Sequence, residues 1–261
     1  MKNDTFEVIE IVQGFPGRST RHGGLGWSSV TLLRGTDRLV LVDSGSFGMR
    51  PMLAGRLREQ GVDPADVTDV LLTHAHYDHA ANYLLFPGAA VHIGAEELAW
   101  AQATGAAFIP LPELYAKDLA ENPRTHRIQP GPDGRAEVLP GITAVAAPGH
   151  TPGSLVFRVS GSAGPVLFTG DAAKNRAELL SGDVDMTLDR DASRNTLAII
   201  RGLWRELPGT VVVPGHDVPM TWPEGSEGPQ YAGVRQAGIQ AWFGDDLEST
   251  HDVDLSRTEE T

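Results

Sequence analysis

Short runs of Val, Ile and Leu bounded by Gly, Pro or Asp recur along the chain. They fall at Phe6–Val12, Ser29–Leu33, Arg38–Asp43, Val67–Thr73, Ala90–Ile93, Ile142–Ala146, Ser154–Val159, Pro165–Thr169 and Thr210–Val213. Runs of this length and bounding read as buried β-strands. Stretches with the helical period lie between some of them. Arg50–Gln60 spaces Met52, Leu53 and Leu57 for one face, and Ala95–Ala103 behaves similarly. Arg194–Leu207 sets Leu197, Ile200, Leu203 and Trp204 in a single stripe. Strands come first, then a mixed stretch, then strands and a mixed stretch again, an order that fits packed sheets with helices outside them.

Two segments break the pattern. Gly14–Trp27 is Gly-rich and reads as a hairpin tip, and Thr104–Pro132 is Pro-rich, with a short helix expected around Glu113–Glu121. The end of the chain is polar and acidic. The reading is one domain over residues 1–245 and a disordered acidic tail over 246–261.

The chemistry concentrates where the strand Val67–Thr73 stops. His74-Ala75-His76-Tyr77-Asp78-His79 puts three of the chain's nine histidines and an aspartate into six positions. Alternate residues of an extended chain point the same way, so His74 and His76 can reach one metal ion together. Asp78 and His79 follow a bend and can turn toward a second. A single histidine would read as a satisfied core residue, but four ligand-type side chains in six positions do not. His150 follows the strand Ile142–Ala146, Asp171 ends Pro165–Thr169, and His216 follows Thr210–Val213. Each lies beside a glycine at a strand end. Imidazole and carboxylate suit zinc, and also iron, manganese, nickel or cobalt.

In this set the chain resembles the metallo-β-lactamase superfamily, whose His-x-His-x-Asp-His motif matches His74 to His79 and whose later His, Asp and His match His150, Asp171 and His216. The match spans roughly residues 6–219. It implies an α/β fold, an αββα sandwich of two mixed sheets flanked by helices, with metal in a groove at one edge. It also implies that His74, His76 and His150 hold one divalent ion, that Asp78, His79 and His216 hold a second, and that Asp171 bridges them. Zinc is the first expectation for both. Val40-Leu41-Val42-Asp43-Ser44-Gly45 resembles the family's strand ending in Asp-x-Gly. Asp43 would then orient a ligand, or merely end a strand.

The implied function is a dinuclear hydrolase in which a metal-bridging hydroxide cleaves a small carboxylic ester or lactone, Asp78 carrying the proton. The alternatives are a glyoxalase II-like thioesterase, a β-lactamase-like amide hydrolase acting on an anionic substrate, or a metal-binding protein without catalysis. Ala147–Ser154 followed by Phe168–Ala172 is most similar to the N-acyl homoserine lactonase-like group, with one departure. That group carries Tyr three residues after the bridging Asp, whereas this chain has Lys174. A Lys there resembles the one many β-lactamases use to hold a carboxylate. Lys174 is therefore expected to bind an anionic group, to assist the oxyanion, or to be a solvated surface residue. The family has a flap where Gly14–Trp27 lies, so Phe15, His22 and Trp27 are candidates to line the groove.

Composition narrows the partners. A net charge of -13 and the lack of any Lys/Arg run disfavour nucleic acid. With no cysteine, thiolate and disulfide chemistry is absent. No apolar run reaches the roughly 18 residues of a membrane span, and the acidic start does not read as a signal peptide. The expectation is a cytoplasmic enzyme with a small-molecule substrate, with room for a homodimer.

Overall fold

Leu32 and Leu33 are neighbours in the chain yet belong to different cores. Leu32 and Leu41 pack with Leu53, Leu57, Leu98 and Leu119. Leu33, Val40 and Val42 pack with Ile142, Phe157, Phe168 and Val213. Alternation with both faces apolar means a sheet covered on both sides.

The computed structural model describes residues 4–104 and 113–256, so residues 105–112 of the irregular Pro-rich stretch and 257–261 of the tail lie outside the described residues. β1 (Glu7–Val12) leads into a hairpin of two-residue strands, β2 (Arg18–Ser19) and β3 (Gly23–Gly24). There follow β4 (Val30–Arg34), β5 (Leu39–Val42), α1 (Arg50–Glu59), β6 (Asp69–Leu71), α2 (Tyr77–Ala80), β7 (Ala90–Gly94), α3 (Ala95–Thr104), α4 (Glu113–Glu121) and β8 (Thr125–Ile128). The second half holds β9 (Arg135–Leu139), β10 (Ile142–Ala146), β11 (Leu155–Gly161), β12 (Gly164–Gly170), α5 (Arg176–Ser181), α6 (Arg190–Glu206), β13 (Val211–Pro214), β14 (Met220–Thr221) and β15 (Gln230–Tyr231). Last come β16 (Gly238–Ala241) and β17 (His251–Asp254).

One sheet has the order β1-β4-β5-β6-β7-β8 and the other β15-β14-β13-β12-β11-β10-β9. Their facing sides form the central core. α1, α3 and α4 cover the outer side of the first sheet, and α6 covers the second through Leu197, Ile200, Leu203 and Trp204. This is the αββα sandwich. Backbone bonds stitch the sheets together, among them Phe6 N–H to Ser160 O at 2.9 Å, Ser162 N–H to Phe6 O at 2.7 Å, Ser29 N–H to Gly215 O at 2.7 Å, and Leu155 N–H to Thr73 O at 2.8 Å.

Strand direction decides where the chemistry lies. β5, β6 and β7 run parallel, as do β12 and β13. The segments after β5 and β6 therefore leave at one edge of the first sheet, and those after β12 and β13 at one edge of the second. The Leu155–Thr73 bond brings those edges together.

Several expectations are corrected in detail. Met52 does not share the buried face of Leu53 and Leu57; it is 39% exposed. α6 begins at Arg190 rather than Arg194, because the Asp189 carboxylate accepts the Ala192 N–H at 2.9 Å and caps the helix there. The acidic stretch beyond Asp245 holds β17, paired with β16 from Gly238↔Asp254 to Ala241↔His251. No described helix is long and apolar enough to cross a membrane.

Candidate metal centre

β6 ends at Leu71, and the bend at Thr73 and His74 that follows brings His74 and His76 to the seam between the sheets. His76 has β-region backbone and precedes the short α2, which turns Asp78 and His79 the other way. β10 leads to His150, β12 to Asp171 and β13 to His216. The chain must pass very close to itself here: a side chain on Gly215 would place its first carbon 2.4 Å from Asp171 Oδ1, so only glycine fits between Asp171 and His216.

All seven residues singled out as metal ligands converge. Their donor atoms form three overlapping groups, each within 4.8 Å: His74, His76 and His150; His74, His79 and Asp171; Asp78, His79 and His216. His76 Nδ1 lies 3.0 Å from His74 Nε2 and 2.9 Å from His150 Nε2. On the other side His79 Nε2 lies 3.4 Å from His216 Nε2, and Asp78 Oδ2 is 3.3 Å from His216 Nε2. Asp171 stands between the two sides. Its Oδ2 is 3.3 Å from His150, and its Oδ1 is 3.2 Å from both His79 and His216.

Outer partners aim the rings. His79 Nδ1–H donates to Asp43 Oδ2 at 2.8 Å, and His150 Nδ1–H donates to the Met186 carbonyl at 2.8 Å. His74 Nδ1 is 3.1 Å from the Thr73 hydroxyl, which itself donates to Asp43. Each of these rings then turns its Nε2 inward. Asp43 is thus more than a strand end: its carboxylate anchors Thr73 and His79 together.

The charges respond to this crowding. Burial, reinforced by the neighbouring imidazoles, pushes His74 well below the usual histidine range. Burial likewise lowers His76 to about 4 and His150 to about 3, so these rings are neutral near pH 7. His79 and His216 are buried too, but the carboxylates of Asp78 and Asp171 outweigh burial. They hold His79 well above its ordinary value and His216 up at about 9. Burial opposes ionisation of Asp78, yet His79 and His216 bring it down to about 2. Asp171 is likewise held well below the carboxylate range by His216, His79 and His150.

The donor set fits a divalent cation. His76 Nε2 and Asp171 Oδ1 are buried without a hydrogen bond among the described residues. Oδ1 lacks one although two ring nitrogens stand 3.2 Å away. Imidazole and carboxylate donors crowded together and buried in this way are costly to keep unless a cation takes them up.

The other expectations fall as follows. Lys174 lies against the cluster: its positive charge is felt at His76 and His150, and its carbonyl accepts the His216 N–H at 2.8 Å. It is not a solvated surface residue, because its side chain is 12% exposed and its ammonium pairs with Glu178 at 2.9 Å. Phe15 and Trp27 stack on each other at 4.8 Å and pair through their backbones, closing the base of the Gly-rich hairpin, while His22 sits exposed in its turn. That hairpin reaches across to the loop after α5 through an Arg18–Asp185 ion pair. Glu178 was missed by the sequence reading. Its place four residues after Lys174 was the available signal, but the spacing is common on exposed helices.

The metallo-beta-lactamase superfamily model matches residues 23–216. A Xenopus laevis protein, metallo-beta-lactamase domain-containing protein 1, is 32% identical over 73% of this chain and 71% of its own length. The N-acyl homoserine lactonase AttM of Azorhizobium caulinodans is 30% identical over 67% of each chain. Among solved structures, B. thuringiensis AiiA with N-decanoyl-L-homoserine bound at the active site aligns over 84% of this chain and 95% of that one. Its TM-score is 0.61 at 19% identity, a likeness of fold. The matched region contains every residue of the cluster from His74 to His216, and the chain belongs to the metallo-beta-lactamase superfamily, a metallo-hydrolase with lactonase-like relatives.

Proposed function

We propose that the chain is a dinuclear metal-dependent hydrolase that opens a small carboxylic ester or lactone. The observation that carries this reading is Asp171, whose two carboxylate oxygens face different histidine groups. His74, His76 and His150 would hold one ion, Asp78, His79 and His216 the other, with Asp171 shared. An imidazole and carboxylate donor set suits zinc, the first expectation, and also iron, manganese, nickel or cobalt.

Bound metal supplies Lewis-acid charge, which brings the pKa of a coordinated water near neutrality. The protein supplies the rest. Asp78 is 19% exposed in its side chain, whereas Asp171 is 7% exposed, so Asp78 is the carboxylate that solvent and substrate can reach. It takes up the proton released as water adds to the acyl carbon. It returns that proton to the alkoxide as the carbon–oxygen bond breaks. Lys174 adds positive charge beside His76 and His150, partly offset by Glu178. Lys174→Ala is expected to raise KM for anionic substrates about two- to fivefold, the worth of a screened ion pair, and to leave neutral substrates unchanged. Equal effects on both would remove its role in recognition.

Elemental analysis combined with a panel of lactones, aryl esters, thioesters, a cephalosporin and a phosphodiester tests the whole reading. Two equivalents of metal and chelator-sensitive turnover of lactones or esters are expected. One equivalent of iron without hydrolysis, or no metal at all, would overturn it.

A further inference from the structure

The peptide between His74 and His76 is gripped from both sides by side chains outside its own loop. Ala75 N–H donates to Glu97 Oε1 at 2.8 Å, and the Ala75 carbonyl accepts from the Tyr115 hydroxyl. The other carboxylate oxygen, Glu97 Oε2, accepts the Gly153 N–H at 3.2 Å. The Thr151 hydroxyl bonds to the same carboxylate. Thr151 and Gly153 immediately follow His150 in sequence. One carboxylate therefore fastens the His74–His76 loop of the first sheet to the His150 loop of the second.

Glu97 is wholly buried, and no cation pairs with it among the described residues. It sits in the first turn of α3, where the free N–H groups of the helix favour negative charge. The His150 loop is seated directly on that turn: a first side-chain carbon on Gly153 would lie 2.0 Å from Glu97 N. Burying a carboxylate is costly, and a neutral amide would make a cheaper fastener. Two backbone N–H groups converge on this point, however, one on each oxygen, and only an acceptor on both oxygens satisfies them. A glutamine would turn its NH2 toward one of those N–H groups. None of these bonds reaches Asp78, His79 or His216, whose side is fixed instead through Asp43.

We infer that Glu97 is a positioning residue that sets His150 against His74 and His76, and so governs the metal affinity of that three-histidine group alone. The inference rests on the two-metal reading above. It gives the three-histidine group a support of its own, Glu97 with Tyr115, whereas Asp43 holds His79 directly and reaches His74 only through Thr73.

The test is a Co2+ titration of the metal-free protein in competition with a chromogenic chelator, with the visible spectrum and the metal-free Tm followed in parallel. Glu97→Gln should weaken one class of site by about 10- to 100-fold, the usual effect of removing a ligand's outer partner. The other class should keep its affinity and its absorption bands. Tyr115→Phe should shift the same class less. Because Asp43 holds His79 directly and His74 only through Thr73, Asp43→Asn should shift the opposite class more than this one. Wild-type affinity at both classes in Glu97→Gln overturns the inference. So does equal weakening of both with a matching fall in the metal-free Tm, which would make Glu97 a fastener of the fold only. If wild type binds no metal, the functional reading fails first and carries this inference with it. If wild type binds two ions and Glu97→Gln does also, unchanged, the inference alone fails. Should Glu97→Gln not fold, Tyr115→Phe still decides: wild-type affinity at both classes in that variant overturns the inference.

Discussion

Asp78→Ala is expected to lower kcat on a lactone or ester by roughly a hundred- to ten-thousand-fold, the range for losing a positioned proton carrier. The fold should be little affected. Asp78 lies on the partly open side of the cluster, where its carboxylate meets His79 and His216. Far-ultraviolet circular dichroism and the Tm of the metal-free variant should stay near wild type. Asp78→Asn separates two roles of the side chain, since an amide oxygen still offers a lone pair but does not take up the proton at neutral pH. A kcat for Asp78→Ala within a few-fold of wild type would end the proposed proton path.

Asp43→Ala is the second large effect, and it is expected in stability as well as in metal binding. Asp43 is 3% exposed and accepts from Thr73 N–H at 2.8 Å, from the Thr73 hydroxyl at 2.9 Å and from His79 Nδ1 at 2.8 Å. Its backbone is left-handed, with φ of 57°, a conformation that Asp and Asn tolerate better than Ala. Alanine would strand a buried N–H and a ring N–H while also straining the backbone. A loss of about 3 kcal/mol follows from those effects, which is about 6–12 °C in Tm for a domain of this size. Asp43→Asn keeps the backbone and one acceptor and should recover most of the Tm without restoring full metal affinity. A stable Asp43→Ala variant that binds metal like wild type would show that His79 needs no outside support.

The seven clustered residues were legible because the chain writes them at strand ends, and strand ends in parallel sheets collect at one edge. The residues that hold them were not legible. Glu97 stands beside Glu96, one fully buried and the other exposed. Nothing local separates two acids in the first turn of a helix; the difference is the arrival of Gly153 from the other sheet. Tyr115 was hidden in the same way, as was the Glu178 partner of Lys174. In the fold, the nine strands read from the sequence announced themselves by runs of Val, Ile and Leu. β8 and β9 did not, because each lies at the edge of its sheet and THRI and RAEVL keep polar residues toward solvent. Met52 misled because helical spacing admits it to the Leu53 stripe, yet it stays 39% exposed while Leu53 and Leu57 are fully buried.

The antiparallel pair β11 and β12 has a further consequence. Leu155, where β11 starts, is bonded to Thr73 beside the cluster, and the turn at Ser162 and Ala163 lies at the opposite end of the pair. Seven residues of extended chain separate them, about 20 Å at the usual rise per residue. Ser162 and Ala163 are exposed. A fluorophore or a surface tether spliced in at that turn would leave the reactive edge facing bulk solution, giving an immobilised enzyme a defined orientation.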